Sequence, residues 1–228
     1  SDNSSGTSAT GTNAVAMGKS TTASGTRSTA TGNNTVASGE YSTAMGSYTI
    51  ASGWWSTAIG DQTTASGTVS TAMGNNTTAS GNYSTAMGYN TTAGHFSTAM
   101  GNSTTAEIYS TAMGSNTTAS GWYSTAMGSY TTASDYVSTV IGQYNSSGSS
   151  ATSVNSFSTS APAFVIGNGT NSSNKSDAFK VMFNGDTTIS GDDLTIGNLS
   201  AFSGSFTQRS AIDVVAHSDG DLLTAYAS

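Results

Sequence analysis

The chain has 228 residues and a formal net charge of −7, from 5 basic and 12 acidic residues. Charged residues make up 7% of it, where an ordinary soluble domain carries about 25%. The chain has no basic cluster, which argues against nucleic-acid binding. It has no cysteine, which excludes disulfides. No apolar run reaches about 18 residues, which argues against a membrane span.

A glycine repeat organises the first part of the chain. Composition alone, rich in Ser, Thr, Gly and Asn, would predict disorder. However, glycine recurs every 14 residues, apart from two spacings of 13, at Gly18, Gly32, Gly46, Gly60, Gly74, Gly88, Gly101, Gly114, Gly128 and Gly142. A second glycine series lies halfway between, and alanine stands two residues before nearly every glycine of both series. The underlying half-period is therefore seven.

A seven-residue period could indicate a coiled coil, but that fold needs large apolar residues at two positions and helix formers elsewhere. The heptads here consist of Gly, Thr, Ser and Asn, which disfavour helix interiors. The repeat instead predicts an all-β fold, a flattened parallel β-solenoid. Each 14-residue coil supplies two short strands and two glycine corners, and coils stack about 4.8 Å apart.

Strand alternation assigns the faces of each coil. In the strand Ser84-Thr85-Ala86-Met87, Ser84 and Ala86 share one face and Thr85 and Met87 the other. Alanine holds the equivalent position in the second strand, as at Ala79. We therefore expect small residues to face each other inside a very narrow roll.

On this assignment a column of large apolar residues faces outward from the first strand, at Met17, Met45, Ile59, Met73, Met87, Met100, Met113, Met127 and Ile141. In a monomer such a stripe would promote aggregation. We expect copies of the chain to bury it around a threefold axis, as a homotrimer. The alternative is that this column forms the core of the roll, with alanine outside.

Both 13-residue coils lose a residue at the same corner. The regular Ala-Ser-Gly becomes Ala93-Gly94 in one coil and Ala106-Glu107 in the next. A deletion at a corner leaves the strands intact, so we expect the register of the stacked strands to be preserved.

The Ser-Thr-Ala-Met-Gly strand with its 14-residue spacing, over residues 10–142, resembles the Ser-Val-Ala-Ile-Gly repeat of trimeric autotransporter adhesin heads, the YadA-like family. The resemblance implies a left-handed parallel β-roll that is trimeric, extracellular and carried on a stalk. It also implies binding to host matrix proteins, cells or other surfaces. Threonine stands where that family usually has valine, which makes the expected trimer core more polar.

The repeat stops after Gly142. We divide the chain into an N-terminal segment at 1–9, the roll at 10–142, a Ser/Asn/Gly-rich linker at 143–162 and a short β-rich fibre segment at 163–228. Strands are predicted at 163–166, 178–183, 187–189 and 194–196, with a tight turn at Asn184-Gly185.

Residues 163–169 and 176–181 resemble fibre segments that precede an intramolecular chaperone of the endosialidase type, found in phage tail fibres and bacterial surface proteins. That chaperone trimerises the fibre and cleaves itself off at a Ser-Asp junction. The resemblance implies that Ser228 is a spent self-cleavage serine. The alternative is that Ser228 has no such role.

The sequence predicts no enzyme, no cofactor and no metal site. His95 is expected in an exposed corner. His217, Asp219 and Asp221 place oxygen ligands at alternate positions, as calcium loops do, but the full spacing and the distal Glu are missing, which favours a solvated turn. Asn-x-Ser/Thr sequences, such as those at Asn76 and Asn90, are either unmodified turns or glycan sites.

Aromatic residues recur at the corners and should form two columns along the roll. They lie just before the Ser-Thr-Ala-Met strand or just after its glycine, at Tyr41, Trp54, Trp55, Tyr83, Phe96, Tyr109, Trp122 and Tyr123, and at Tyr48, Tyr89 and Tyr130. They either cover the roll and pack between subunits or offer a stacking surface to ligands. The candidates for binding a surface glycan or matrix protein are Trp54, Trp55, Trp122 and Tyr123.

The favoured function is attachment by an extracellular trimeric fibre at a cell or virion surface. One alternative is binding to ice or another lattice through the outward hydroxyls of the second strand, such as Thr78 and Ser80. The other alternative is a segment of a phage or virus tail fibre.

Overall fold

The computed structural model describes residues 6–190, which form 23 strands and no helix. Up to residue 143, two-residue and five-residue strands alternate. In chain order they are β1 (Ser8–Ala9), β2 (Val15–Lys19), β3 (Thr22–Ala23), β4 (Thr29–Asn33), β5 (Val36–Ala37), β6 (Thr43–Ser47), β7 (Ile50–Ala51), β8 (Thr57–Asp61), β9 (Thr64–Ala65), β10 (Thr71–Asn75), β11 (Thr78–Ala79), β12 (Thr85–Tyr89), β13 (Thr92–Ala93), β14 (Thr98–Asn102), β15 (Thr105–Ala106), β16 (Thr111–Ser115), β17 (Thr118–Ala119), β18 (Thr125–Ser129), β19 (Thr132–Ala133), β20 (Thr139–Gln143), β21 (Pro162–Asn168), β22 (Asp177–Met182) and β23 (Thr187–Ile189).

The strands stack into two sheets, with one strand of each coil in each sheet. The short strands form a ten-stranded sheet from β1 to β19, and the long strands form a second sheet that continues into β21, β22 and β23. All pairings through β20 are parallel and place equivalent residues side by side, so Met73 lies beside Met87 and Met87 beside Met100. The predicted parallel β-solenoid is confirmed.

The interior is as narrow as its small residues require. Ala79 and Ala86 are fully buried, together with Thr77 and Ser84 from the same coil. The Ser84 hydroxyl donates to the Gly81 carbonyl at 2.6 Å. Alanine therefore fills the core along the roll, and the alternative in which the Met column forms that core is wrong.

The two shortened coils keep the register, as predicted. Thr85 pairs with Thr98 in the long-strand sheet, and Thr92 pairs with Thr105 in the short-strand sheet. The missing residue is absorbed at the corner, where the Gly94 amide still donates to the Ala106 carbonyl at 2.8 Å.

The end of the short-strand sheet is closed by the segment that follows the repeats. The side chain of buried Asn145 accepts a hydrogen bond from the Thr132 amide at 2.8 Å and donates to the Thr132 carbonyl at 2.9 Å, as a further strand would. Buried Asp135 accepts from the amides of Thr152 and Ser153. The segment predicted as a linker is thus tied to the last coil, and it covers an edge that would otherwise be open.

Beyond that segment, the long-strand sheet gains one more parallel strand and then turns antiparallel. β21 pairs with β20, and β22 and β23 follow in antiparallel order. The turn predicted at Asn184-Gly185 is present, with the Gly185 amide donating to the Met182 carbonyl at 3.0 Å. The strand predicted at 194–196 lies outside the described residues. Within residues 6–190 no helix is long and apolar enough to cross a membrane.

Candidate functional site

The apolar column on the outer face of the long-strand sheet is a continuous feature. Register places Met17, Met45, Ile59, Met73, Met87, Met100, Met113, Met127 and Ile141 in one row, with Thr31 as the one polar interruption. In the single chain Met17 is 55% exposed and Met45 42% exposed. A threonine row runs beside it, and neither row contains a charged side chain. Among residues 6–190, nothing covers this surface in the single chain.

The same face continues past the last coil, which the sequence did not lead us to expect. Ile141 pairs with Ile166, Ile166 with Phe179, and Phe179 with Ile189. Residues opposite one another share a face, so these side chains extend the column across three further strands. In the neighbouring row Phe164 pairs with Thr139, so an aromatic ring succeeds the threonines. The feature of the sequence that could have predicted this extension is Val165-Ile-Gly. It repeats the Val140-Ile-Gly of the last long strand, and the two tripeptides pair residue by residue.

The aromatic residues just before the long strands form a ladder, as the corner positions predicted. Neighbouring rings are nearly parallel, with centroid distances between 4.6 and 5.5 Å, in the pairs Tyr41–Trp55, Tyr83–Phe96, Phe96–Tyr109 and Tyr109–Tyr123. We call these six residues the aromatic ladder. Val69 occupies the same corner between Trp55 and Tyr83, so it divides the ladder in two. Arg27 lies over the Tyr41 ring at 5.2 Å and donates to its hydroxyl.

Stacking limits what the ladder can offer to a ligand. Sugars bind to the faces of aromatic rings, and in a stack those faces are already covered by neighbouring rings. The ladder therefore presents ring edges and tyrosine hydroxyls to solvent. Two ring contacts differ, because Trp54 meets Trp55 at 76° and Tyr136 meets Tyr123 at 81°.

The four predicted ligand-binding residues occupy two places. Trp54 and Trp55 are 56% and 51% exposed and lie just before β8, the fourth long strand of the roll. Tyr123 is also exposed, whereas Trp122 is only partly so, and its amide donates to the Val154 carbonyl at 2.8 Å. The structure brings the four residues together as two pairs, not as one site.

The second aromatic column is short. Tyr130 and Tyr144 stack at 4.5 Å, while Tyr89 lies at the end of β12, one position before the corner that Tyr48 and Tyr130 occupy. Desolvation, and then the neighbouring Tyr130, raise the pKa of the Tyr144 phenol.

The outer face of the short-strand sheet carries the predicted hydroxyl array. Thr64, Thr78 and Thr92 lie side by side in register. Val36 and Ile50 replace threonine in the same row, so the array is not uniform.

The structure also shows the surroundings of His95, for which the sequence predicts no catalytic or metal-binding role. His95 is exposed at a corner, where its Nδ1 accepts a hydrogen bond from the Asn82 amide at 3.1 Å. Within residues 6–190 no three His, Cys, Asp or Glu side chains are grouped so that they could hold a metal. The turn at 217–221 and Ser228 lie outside the described residues.

The family model for the YadA head domain repeat, which describes two copies, matches residues 9–35, 23–49, 37–62, 56–68, 65–91 and 108–131. The solenoid is a YadA-type adhesin head. The residues that the family model matches belong to coils whose interior is filled by alanine and whose outer face carries the apolar column. No curated protein matches the chain significantly.

Proposed function

We propose that this YadA-type head works as a homotrimer at the outside of a cell, where it attaches the cell to a surface. The observation that carries the proposal is the apolar column, which follows the strand register from β2 to β23 and which no other part of residues 6–190 covers. The YadA-like family is trimeric and surface exposed, which supports both the oligomeric state and the location.

A second copy of the chain is the partner that fits this column best. The column repeats at the strand spacing along the whole roll, so a matching surface must have the same repeat and length. Another copy provides both, and a closed threefold arrangement buries all columns at once. The half-buried pair Phe164 and Phe179 extends this surface beyond the last coil, with the two ring centroids 6.1 Å apart.

The attachment surface is then the part of the head that lies away from the apolar column. Trp54 is our candidate contact, because it is exposed and its ring lies outside the parallel stack of the ladder. Tyrosine and tryptophan contribute large contact areas at little cost in conformational entropy. A surface glycan or a matrix protein is the expected target.

The trimer is tested with Met87→Asp and its control Ser80→Asp. The first substitution places one carboxylate per chain in the apolar column, where an unpaired buried charge is strongly unfavourable. The second places the same charge on the exposed outer face of the short-strand side. Light scattering should show a trimer for Ser80→Asp and dissociated or unfolded protein for Met87→Asp. If both variants stay equally trimeric, the column is not the interface. Attachment is tested by coupling the same proteins to beads and measuring how many beads bind to surfaces coated with matrix protein or glycan.

A further inference from the structure

A polar cleft lies beyond the last coil, where three segments that are distant in sequence meet. It is lined by Asn168, Lys175, Asp177 and Lys180 together with five serine and threonine residues, and its volume is about 320 Å³. Two of the five basic residues of this acidic chain line it. No feature of the sequence predicted the cleft, because no motif or repeat connects these positions.

The walls of the cleft are fixed by hydrogen bonds before any ligand binds. The two carboxylate oxygens of Asp177 accept from the amides of Ser146 and Ser147, at 2.8 and 2.9 Å. The Ser176 hydroxyl donates to the Asn168 side-chain carbonyl at 2.7 Å, which leaves the Asn168 amide group directed elsewhere as a donor. A site whose polar groups are already held in place loses less entropy on binding.

The two lysines are the unsatisfied charges of the cleft. Among residues 6–190, neither Lys175 nor Lys180 forms an ion pair with a carboxylate. The one acidic residue in the lining is Asp177, whose oxygens are engaged by backbone amides. The cleft therefore has a net positive charge, and two ammonium groups are available to an anion.

The cleft and the apolar column lie on opposite faces of the sheet. Lys180 pairs with buried Val165 and with Thr188, so it shares their face. Phe179, the next residue along β22, shares the other face with Ile166 and Ile189. Burying the apolar column in a trimer would thus leave the cleft open to solvent.

From this chemistry we propose that the cleft binds an acidic sugar residue, one that carries a carboxylate or sulfate group. The two lysines would hold the anionic group, and the serine and threonine hydroxyls with the Asn168 amide would bond the sugar hydroxyls. The volume is at the low end for ligand sites, which suits one or two sugar units. The lining offers little apolar surface, which disfavours lipids. The lysine pair is too small a basic patch for a nucleic acid. The proposal specifies a ligand for the attachment function above.

The test uses the full chain and three probes: sialyllactose, a sulfated disaccharide and neutral lactose. Calorimetric titration should show binding of at least one acidic probe at about millimolar concentrations or below. Lactose should bind at least about tenfold more weakly, and added salt should weaken the acidic probe because the attraction is ionic.

The double variant Lys175→Gln/Lys180→Gln should lose at least about tenfold in affinity. Its matched control is Lys19→Gln, which removes a lysine in β2, outside the cleft. If the double variant unfolds, the single variant Lys175→Gln replaces it in the titration, because Lys175 lies in an exposed loop. The proposal is overturned if neither acidic probe binds, if lactose binds equally well, or if the double variant and Lys19→Gln behave alike. Light scattering on the same samples reports the trimer separately, so a monomer that binds the acidic probe would contradict the trimer and support the cleft.

Discussion

At the fourth of the five positions of each long strand in the roll, the neighbouring coil allows only glycine. Gly88 has a φ of +125°, a conformation that other residues adopt only with strain. A Cβ atom placed on Gly88 would lie 2.0 Å from the Gly101 carbonyl oxygen of the next coil. The backbones of successive coils approach this closely because identical residues stack in register. The stacking of the coils therefore explains why glycine recurs every 14 residues.

Gly88→Ala should therefore destabilise the roll by more than about 3 kcal/mol, from the strained conformation and the backbone clash together. The matched control is Gly94→Ala. Gly94 has no positive φ, and its added Cβ would come no nearer than 3.3 Å to Glu107, which itself occupies the equivalent corner. This control should cost about 1 kcal/mol or less. Thermal unfolding followed by circular dichroism measures both, and equal losses would contradict the argument.

Along the corners, the aromatic ladder compensates for an unfavourable backbone. Tyr83, Phe96 and Tyr109 all have φ near +55°, the left-handed region that costs non-glycine residues about 1–2 kcal/mol. Each amide donates to a carbonyl of the preceding coil, as that of Tyr83 does to Thr68 at 2.8 Å. Stacking of the rings adds a favourable contribution between successive coils. The ladder is therefore an element of the fold as well as a surface.

Val69 is the break in this element and a place to strengthen it. As a β-branched residue with a φ of 55°, it is a clear outlier, and it separates Trp55 from Tyr83. Val69→Tyr should join the two halves of the ladder and raise stability by about 0.5–1.5 kcal/mol per chain beyond the relief of strain.

Val69→Asn is the control for this prediction, because asparagine tolerates the left-handed region but adds no ring. The unfolding midpoint should rise in the order wild type, Val69→Asn, Val69→Tyr. A tyrosine variant no more stable than the asparagine variant would show that stacking contributes nothing at this corner.

At the scale of the whole molecule, the roll is built from contacts between neighbouring coils. Each long strand pairs with the one before and the one after it, and no repeat contacts a distant coil. Stability in such a molecule is close to a sum of coil and interface contributions. Whole coils should therefore be removable, provided that the remaining strands stay in the same sheets.

Deleting residues 63–76 removes one complete coil and joins Gln62 to Thr77, which reproduces the normal Gln62-Thr63 junction. This variant should stay folded with a nearly unchanged unfolding midpoint, because the loss of one coil is offset by the Trp55–Tyr83 stacking that removal of Val69 allows. Deleting residues 63–69 removes half a coil and places the long strand β10 where a short strand belongs. That variant should lose cooperative unfolding, since every later strand is displaced to the wrong sheet. Circular dichroism melts distinguish the two, and similar stability of both would argue against the two-sheet register.

The sequence by itself determined the repeating part of this protein. The spacing of Gly74, Gly88 and Gly101 predicted the stacking, the alternation of Ala86 and Met87 predicted the faces, and the shortened corners predicted an intact register. These features follow from local geometry repeated at a fixed period, and each coil contacts mainly its immediate neighbours. A repeat therefore carries most of the information on its own packing.

Beyond the repeat, the sequence predicted the strands at 163–166, 178–183 and 187–189 and the turn at Asn184-Gly185, but only the tertiary structure decided how they pack. It placed Ile166 and Phe179 on the apolar face, used Asn145 to close the short-strand sheet, and brought Lys180 to the same cleft as Lys175. It also showed that the ladder rings cover each other's faces, which residue types at corners could not reveal. These arrangements depend on pairings between residues far apart in the chain, such as Asp177 with Ser146, which no period aligns. Their positions are set by how the last strands pack, because irregular segments find their partners only in the folded chain.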